Sequence, residues 1–259
     1  MTNPAVADVV RYEVVRRVAW LTIDRPEARN ALSKEVRDLL FAGFRRFADD
    51  AEAAVLVLTA TGDAAFCAGG DLREMANTAL TVPPPDFVPQ LGRNLQVDKP
   101  VIAAVNGIAY GGGFLLVQQC DLVIAADSAR FAVTEARLGR GSPWAVPLPR
   151  LVGPRIAMQL LVTGEPISAQ RAYEVGLVNQ VVPLAGLHEA AQSIGERIAA
   201  NAPLSVAAAK RTVGLLADHP LAQAYELAEQ LWAPVYRSAD AQEGPAAFRD
   251  KRRPVWTGR

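Results

Sequence analysis

Two glycine-rich segments of the sequence present backbone N–H groups that could bind a negatively charged oxygen. They are residues 66–72, FCAGGDL, and residues 106–113, NGIAYGGG. Each follows a predicted strand and precedes a predicted helix, where the first N–H groups lack partners within the helix and the helix dipole favours an anion. Small side chains also let a ligand approach the backbone closely. For the first segment alone, a glycine-rich turn without a ligand remains an open alternative.

The three consecutive glycines that end the second segment carry a cost. Each glycine at a helix start is less favourable than alanine by about 1 kcal/mol because it loses more backbone entropy. A sequence that keeps three of them indicates a need for bare backbone at that point. The spacing does not fit a dinucleotide-binding fingerprint. No Lys-Ser or Lys-Thr follows the glycines, which excludes a phosphate-binding Walker loop.

The elements that must position these segments alternate between strands and helices in the first half of the chain. Residues 12–24 alternate apolar and polar side chains, which predicts two short strands that meet near Arg16 and Arg17. Ser33 fits the N-cap of a helix that follows. The further predictions are strands over residues 54–59, 101–105 and 122–126, and helices that begin near Gly70 and Gly111.

The second half of the sequence changes character and predicts helices. Gly176 is placed to end one of them in the left-handed conformation. Alternating elements followed by helices favour one α/β domain with a helical C-terminal extension, without a linker between independent domains. The predicted helices span residues 155–162, 169–175, 187–201, 203–217 and 221–236.

Composition and charge narrow the class of protein. With 51% hydrophobic and 21% charged residues among 259, the chain resembles a globular enzyme with a sizeable core rather than a disordered protein. Lys and Arg number 27, as do Asp and Glu, so no net field attracts nucleic acid or an anionic membrane. Cys67 and Cys120 stand alone, which favours two reduced thiols over a disulfide and predicts no metal site.

The sequence contains no predicted targeting or membrane-spanning segment. Residues 1–10 lack a basic region followed by an apolar run. The apolar stretches elsewhere are interrupted well short of the about 20 residues that a membrane-spanning helix needs. We therefore expect a cytoplasmic protein.

In their order along the chain, the two glycine-rich segments resemble the signature of the crotonase superfamily, the enoyl-CoA hydratase/isomerase family. Residues 25–32, RPEARNAL, and two later blocks, residues 161–182 and 240–256, are similar to the family as well, so the resemblance covers nearly the whole chain. It implies an α/β fold, a crotonase-like spiral of ββα units with a helical C-terminal extension. Residues 1–200 would form the core with the acyl-CoA site. Residues 201–259 would form the extension, packed against a neighbour in a homotrimer or a dimer of trimers.

The resemblance also implies roles for individual residues. Family enzymes hold the thioester oxygen of an acyl-CoA, as it becomes an enolate, with two backbone N–H groups, which here are those of Gly70 and Gly112. No cofactor is implied beyond the coenzyme A of the substrate. For the arginines below, a solvated surface charge remains an alternative to phosphate binding. The residues implied in CoA binding are Ala28, Ala68 and Leu72 through their backbone, and Arg29 and Arg73 through the phosphates.

The sequence departs from the family's hydratases at one of their two catalytic glutamates. The position three residues after the middle glycine is Leu115, which can neither accept nor give a proton. The second glutamate corresponds to Glu135, at the end of a predicted strand. Downstream, Pro143 and Trp144 occupy a segment that is usually rich in glycine, and they would exclude water from the pocket.

One carboxylate among apolar walls suits proton transfer between two carbons better than addition of water, which needs an activated nucleophile and a proton donor. We therefore expect an enzyme that shifts the double bond of an enoyl-CoA with Glu135 as its acid and base. Hydration by Glu135 alone, decarboxylation and non-catalytic binding of acyl-CoA remain alternatives. So does a structural ion pair of Glu135 with Arg137 or Arg140.

Two further assignments concern the walls of the pocket. Tyr110, beside the glycines, is either a wall residue or a hydrogen-bond donor. The proline-containing loop of residues 77–96 is expected to border the acyl group.

Overall fold

Pairs of strands, the first three followed by a helix, recur through the first half of the chain. The computed structural model describes residues 9–78 and 81–259, so the predictions for residues 1–8 and for residues 79 and 80 of the acyl loop lie outside it. The predicted α/β spiral of ββα units is confirmed. The units are β1 (Val10–Val15), β2 (Val18–Ile23) and α1 (Lys34–Asp49); β3 (Val55–Ala60), β4 (Ala65–Cys67) and α2 (Leu72–Thr78); β5 (Val101–Val105), β6 (Ile108–Tyr110) and α3 (Gly112–Gln118); and β7 (Leu122–Ala126) with β8 (Arg130–Ala132).

The first unit places both of its strands, β1 and β2, in the larger of two sheets, and each later unit adds one strand to each sheet. The larger sheet has the order β1-β2-β3-β5-β7-β10, in which β10 is Gln180–Val182. The smaller has the order β4-β6-β8-β9, in which β9 is Ile167–Ser168. From β2 to β10 the larger sheet is parallel, and β1 joins it as an antiparallel hairpin partner of β2. Because β4 and β6 pair in parallel, the two glycine-rich segments leave the smaller sheet side by side at the same edge.

The inner strands of the larger sheet are covered on both faces, which explains their apolar runs. In β3, Val55 and Val57 face the cluster that α7 (Leu187–Ala199) covers, whereas Leu56 and Leu58 face the main core between the sheets and α1. Successive side chains of a strand point to opposite faces, so residues 55–58, which are buried on both faces, are all apolar.

The start of α1 follows the sequence prediction closely. The hydroxyl of Ser33 accepts a hydrogen bond from the N–H of Val36 at 3.3 Å, which caps the helix. Leu40, Phe44 and Phe47 are fully buried on one face of this helix.

The five helices predicted in the second half are confirmed, and the chain between them forms two short strands that were not predicted. β9 (Ile167–Ser168) pairs with β8, and β10 (Gln180–Val182) extends the larger sheet. These strands are too short for an alternating pattern to mark them. The helices are α4 (Leu148–Val152), α5 (Pro154–Thr163), α6 (Ala169–Glu174), α7, α8 (Pro203–Asp218), α9 (Leu221–Arg237) and α10 (Ala239–Arg249).

The last helix, α10, was not predicted. It contains Gly244 and Pro245, and both residue types lower helix propensity. Its start is stabilised by the Ser238 side chain, which accepts from the N–H of Ala241 at 3.2 Å. Tertiary packing and capping therefore outweigh local propensity here.

The two cysteines are separate thiols, as expected. Cys67 is fully buried, and this burial raises the pKa of its thiol to about 12. Such a thiol stays protonated and unreactive at neutral pH.

Candidate active site

A cavity of about 990 Å³ opens between the two glycine-rich segments and the segments 25–32, 81–93 and 134–144. This volume suits a ligand the size of a cofactor. A smaller cavity of about 210 Å³ beside Trp256 contains none of the predicted site residues. The predicted residues that line the larger cavity are Ala28, Arg29, Ala68, Gly70, Leu72, Arg73, Gly112, Leu115, Glu135 and Trp144.

Tyr110 is the predicted site residue that the structure does not place on this wall. It ends β6, whose side chains alternate between the two faces of the smaller sheet. The chain then turns at Gly111, whose N–H donates to the carbonyl of Ala132 at 3.0 Å. The backbone carbonyl of Tyr110, rather than its ring, packs close to Gly69.

The backbones of Gly70 and Gly112 lie against each other. A Cβ atom built on Gly112 would lie 3.7 Å from the nitrogen of Gly70, and one built on Gly69 would lie 3.5 Å from the nitrogen of Gly112. Within the described part of the chain, no acceptor is hydrogen-bonded to either N–H. Gly112 is the first residue of α3, whereas Gly70 precedes α2 by two residues. Both N–H groups are therefore available on the cavity wall.

The glycine triplet serves three separate purposes. Gly111 has φ +53° and ψ −117°, a conformation that side chains disfavour, and a Cβ there would lie 3.2 Å from Oε1 of Glu135. A Cβ on Gly113 would lie 2.1 Å from the carbonyl oxygen of Cys67, so this glycine permits close packing of α3 on β4. Gly112 lines the cavity, and a Cβ there would lie 2.9 Å from Cδ1 of Leu32. That its bare backbone serves to bind an oxygen stays a prediction, whereas conformation and packing account for the other two glycines.

Glu135 reaches the same cavity from the first position of a 3-10 turn, Glu135–Leu138, that follows β8. Its Oε2 atom is buried without a hydrogen-bond partner. Burial raises the pKa of this carboxyl above the ordinary glutamate value, although its own backbone N–H and the side chain of Trp144 act in the opposite direction. Glu135 is thus a half-buried carboxyl group that binds a proton more tightly than an ordinary glutamate does.

The alternative role for Glu135, an ion pair with Arg137 or Arg140, is not found among the residues that the structure describes. The Arg137 side chain packs against Gly164 instead. Arg140 contacts Glu135 through its backbone N–H, which donates to the Glu135 carbonyl at 2.9 Å. Neither guanidinium forms a salt bridge with the Glu135 carboxylate.

Leu115 and Trp144 form apolar wall beside Glu135. Leu115 lies on the first turn of α3 with only 4% of its surface exposed, and it lines the cavity. Trp144 lies in the 3-10 turn Pro143–Ala145, where its carbonyl accepts a hydrogen bond from Nε2 of Gln118 at 2.6 Å. Its ring packs 6.1 Å from the ring of Phe114. Neither residue supplies a second acid beside Glu135, although the side chain of Trp144 also forms a hydrogen bond that lowers the pKa of the Glu135 carboxyl.

Comparison with known proteins agrees with this geometry. Residues 13–259 match the family described as enoyl-CoA hydratase/isomerase. The chain belongs to this family. It is 38% identical to carnitinyl-CoA dehydratase of Salmonella typhi over 249 residues, which cover 92% of this chain and 94% of that protein.

Solved structures of enoyl-CoA hydratase/isomerase family proteins share the whole fold. An enoyl-CoA hydratase/isomerase from Mycobacterium paratuberculosis superposes with a TM-score of 0.88 at 36% identity, covering 97% of this chain and 99% of that one. An enoyl-CoA hydratase from Mycobacterium tuberculosis H37Rv gives 0.89 at 34% identity, covering 97% and 100%. The protein is therefore an enzyme of acyl-CoA chemistry.

Residues 25–32, which include the predicted CoA contacts, are joined to the first glycine-rich segment by backbone hydrogen bonds. The N–H of Ala68 donates to the carbonyl of Arg29 at 3.1 Å, and the N–H of Leu32 donates to the carbonyl of Gly69 at 2.8 Å. Arg29 and Asn30 have φ of 50° and 55°. Such left-handed backbone at non-glycine residues is uncommon and clusters at ligand sites.

Sequence reasoning missed several residues of the family member's site. Arg25 forms an ion pair with Asp71 at 2.7 Å, directly after Gly70. The hydroxyl of Thr134 lies close to the Glu135 carboxylate, since a Cβ built on Gly111 would be 3.4 Å from the first and 3.2 Å from the second. Phe87 forms part of the wall. Only Thr134 had a local signal, its position next to Glu135, because the other contacts join segments distant in sequence.

Among the residues that the structure describes, no helix is both long enough and apolar enough to cross a membrane.

Proposed function

We propose that this enzyme moves a proton between two carbons of an enoyl-CoA and thereby shifts its double bond. The observation that carries the proposal is a single available carboxylate beside two free backbone N–H groups. Three acidic residues line the cavity, but Asp71 is paired with Arg25 at 2.7 Å and Glu27 lies 3.8 Å from the same arginine. Among the described residues of the wall, that leaves Glu135 as the acid without a cation partner.

In this proposal the thioester oxygen lies between the N–H groups of Gly70 and Gly112. One such donor stabilises a transition state by about 3–4 kcal/mol because it is oriented before charge develops on the oxygen. Glu135 removes a proton from one carbon, the electrons pass to the thioester oxygen as an enolate, and Glu135 returns the proton two carbons away. No atom is gained or lost, so no further reactant is needed.

The apolar wall supports this reaction over the addition of water. A water that attacks a carbon must be deprotonated and oriented by an acceptor. Leu115 offers none, and Trp144 occupies space where a water would lie. The raised pKa of Glu135 also suits a group that must both take and give a proton near neutral pH.

Reversible hydration and dehydration is the second candidate. It is favoured by the relatives at 37–38% identity, which are named carnitinyl-CoA dehydratase. Glu135 would then have to serve both the α-carbon and the water. The acyl-CoA substrate and contacts of its phosphates with Arg29 and Arg73 are common to both candidates.

The test is incubation of the purified enzyme with a panel of 2-enoyl-, 3-enoyl- and saturated acyl-CoAs in heavy water. Mass spectrometry reports deuterium incorporation, and loss of the enoyl absorbance reports hydration. We expect interconversion of 2- and 3-enoyl-CoA with deuterium uptake and little hydrated product. Robust hydration of crotonyl-CoA without double-bond migration would instead establish the second candidate.

A further inference from the structure

A buried arginine joins the wall of the cavity to the oxyanion segment. Arg37 lies on α1 with only 6% of its surface exposed. Its Nη1 donates to the carbonyl of Leu32 at 2.7 Å, and its Nη2 lies 2.8 Å from Oε1 of Glu74. Its guanidinium carbon lies 4.0 Å from the centre of the Phe87 ring. One side chain therefore contacts three separate segments.

The first of these contacts leads directly to Gly70. Leu32 donates its own N–H to the carbonyl of Gly69, and its side chain packs against Gly112. Arg37 thus fixes the carbonyl of Leu32, whose N–H and side chain contact the two glycine-rich segments. The pairing with Glu74 neutralises the charge, as burial of a guanidinium requires.

The third contact leads to the apolar wall. Phe87 lines the cavity together with neighbours that are hydrocarbon, among them Val82 and the prolines at 83–85. Such a wall suits an acyl chain, because the charged groups of coenzyme A need polar partners. The face of the ring rests on the guanidinium, an arrangement that fixes the plane of the ring.

The backbone of the turn that carries Phe87 has supports of its own. Nδ2 of Asn94 donates to the carbonyls of Pro85 and Val88, both at 3.0 Å. Loss of the guanidinium would therefore release the ring without releasing the turn.

We infer that Arg37 is a positioning residue that sets acyl-chain selectivity, by holding the Phe87 ring as the wall for extended acyl chains at a fixed distance from the oxyanion segment. This inference rests on the proposed binding of an acyl-CoA in the cavity, but not on which reaction follows. Lysine cannot replace this arginine, because a single ammonium lacks the planar fork that binds a carbonyl and a carboxylate while it stacks on a ring.

The test measures equilibrium binding of butanoyl-CoA and octanoyl-CoA, which are saturated and cannot isomerise, by titration calorimetry. We expect wild type to prefer octanoyl-CoA. Arg37→Lys should weaken octanoyl-CoA binding by about tenfold, as expected for loss of a desolvated cation–π contact, and butanoyl-CoA binding by less than about twofold. Phe87→Leu should do the same without disturbing a buried charge, and the double variant should be no worse than either single one.

Arg46→Lys is the matched control. Arg46 lies on the same helix and stacks on Tyr12 at 4.1 Å, but neither residue lines the cavity. Equal losses for both thioesters, or the same losses in the Arg46 variant, would overturn the inference. So would a wild type that binds the two thioesters equally, although acyl-CoA binding itself would stand. A wild type that binds no thioester would overturn the proposed function as well.

Discussion

At the scale of single residues, the burial of the Glu135 carboxyl, with its Oε2 atom left without a hydrogen-bond partner, is the feature with the most consequences. A buried carboxylate oxygen without a hydrogen-bond partner costs stability in its charged form, and proteins keep such groups mainly where they act. The same burial raises the pKa of this carboxyl. Activity, stability and pH dependence are therefore linked through one group.

Glu135→Gln should remove the base while keeping the shape of the side chain. We expect turnover of the true substrate to fall about 10²–10⁴-fold, the usual contribution of a general acid or base. Glu27→Gln makes the same chemical change on the rim of the same cavity, where the side chain is 73% exposed, and should leave turnover within about twofold. The measurement is steady-state kinetics of double-bond migration. Equal effects of the two variants would exclude Glu135 as the base.

The raised pKa of Glu135 predicts opposite pH trends for activity and stability. The carboxylate is the active base, so kcat/KM should rise with pH through an apparent pKa above the ordinary glutamate value. Folding favours the protonated form, so wild type should lose stability relative to Glu135→Gln as pH rises through the same range. Kinetics and thermal unfolding between acid and neutral pH would check both trends. Superimposable melting curves at every pH would contradict the second.

Leu115→Glu should introduce the missing carboxylate. We expect it to raise the rate of hydration only modestly. The new charge would be buried beside Trp144, so we expect a lower melting temperature and a raised pKa of the introduced group. Leu115→Glu combined with Trp144→Ala should hydrate crotonyl-CoA better than either single variant, because the second change makes room for water. Leu115→Gln, which is polar but cannot act as a base, is the control. Strong hydration by wild type would show that Leu115 does not limit the reaction.

At the scale of elements, one backbone carbonyl connects the three loops that build the site. The carbonyl of Ala65, at the start of β4, accepts from Nδ2 of Asn30 at 2.7 Å and from Nδ2 of Asn106 at 3.3 Å. Asn30 lies in the predicted CoA segment, and Asn106 begins the second glycine-rich segment. Both asparagines are buried. The loops are therefore fixed to the smaller sheet rather than to each other alone.

Gly111→Ala tests how the turn into α3 places the base. The added methyl group would lie 3.2 Å from Oε1 of Glu135, so the carboxylate must move. Gly153→Ala is the control, since Gly153 also has a positive φ, +78°, but nothing lies within 4 Å of its Cβ position. Both variants should lose stability through backbone strain of about 1–3 kcal/mol. Only Gly111→Ala should also lose kcat at temperatures where both are folded, and equal kcat would contradict this placement.

At the scale of the whole molecule, the C-terminal extension is attached to the core at few points. Nζ of Lys210 on α8 donates to the carbonyl of Lys99 and pairs with Asp121, both at 2.9 Å. In α8 and α9 only Ala208 and Ala224 are buried. The division into residues 1–200 and 201–259, the trimer and the cytoplasmic location all stay predictions.

The end of the chain folds back onto the start of α10 through Asp240. Its carboxylate accepts hydrogen bonds from the N–H groups of Thr257 and Gly258 at 2.7 and 2.9 Å. Burial alone would raise the pKa of this carboxyl, but these hydrogen bonds outweigh it and lower the pKa. A lowered pKa gives stability that is present above the ordinary aspartate value and is lost as pH falls.

Asp240→Asn should therefore destabilise the protein at neutral pH. We expect a loss of about 1–3 kcal/mol, because an amide cannot accept at both positions as the carboxylate does. The melting temperatures of wild type and variant should converge as pH falls. Asp38→Asn is the control, since its carboxylate is exposed on α1 and pairs with the exposed side chain of Lys34. A constant difference at all pH values would contradict the assigned hydrogen bonds.

The sequence by itself determined much of this protein. The apolar runs of β3, β5 and β7, the N-cap at Ser33 and the two glycine-rich segments are local patterns, and their physical causes act within a few residues. The positions of Gly70, Gly112, Leu115 and Glu135 could be proposed because family motifs fix their spacing along the chain.

Only the tertiary structure decided which side chains meet across segments. Arg25 with Asp71, and Arg37 with Leu32, Glu74 and Phe87, join residues that no local pattern relates. The separate purposes of Gly111 and Gly113 likewise depend on atoms of Glu135 and Cys67 from other elements. Short strands such as β9 exist only because β8 offers hydrogen-bond partners. Contacts of this kind arise from close packing between distant parts of the chain, and packing leaves no periodic trace in the sequence.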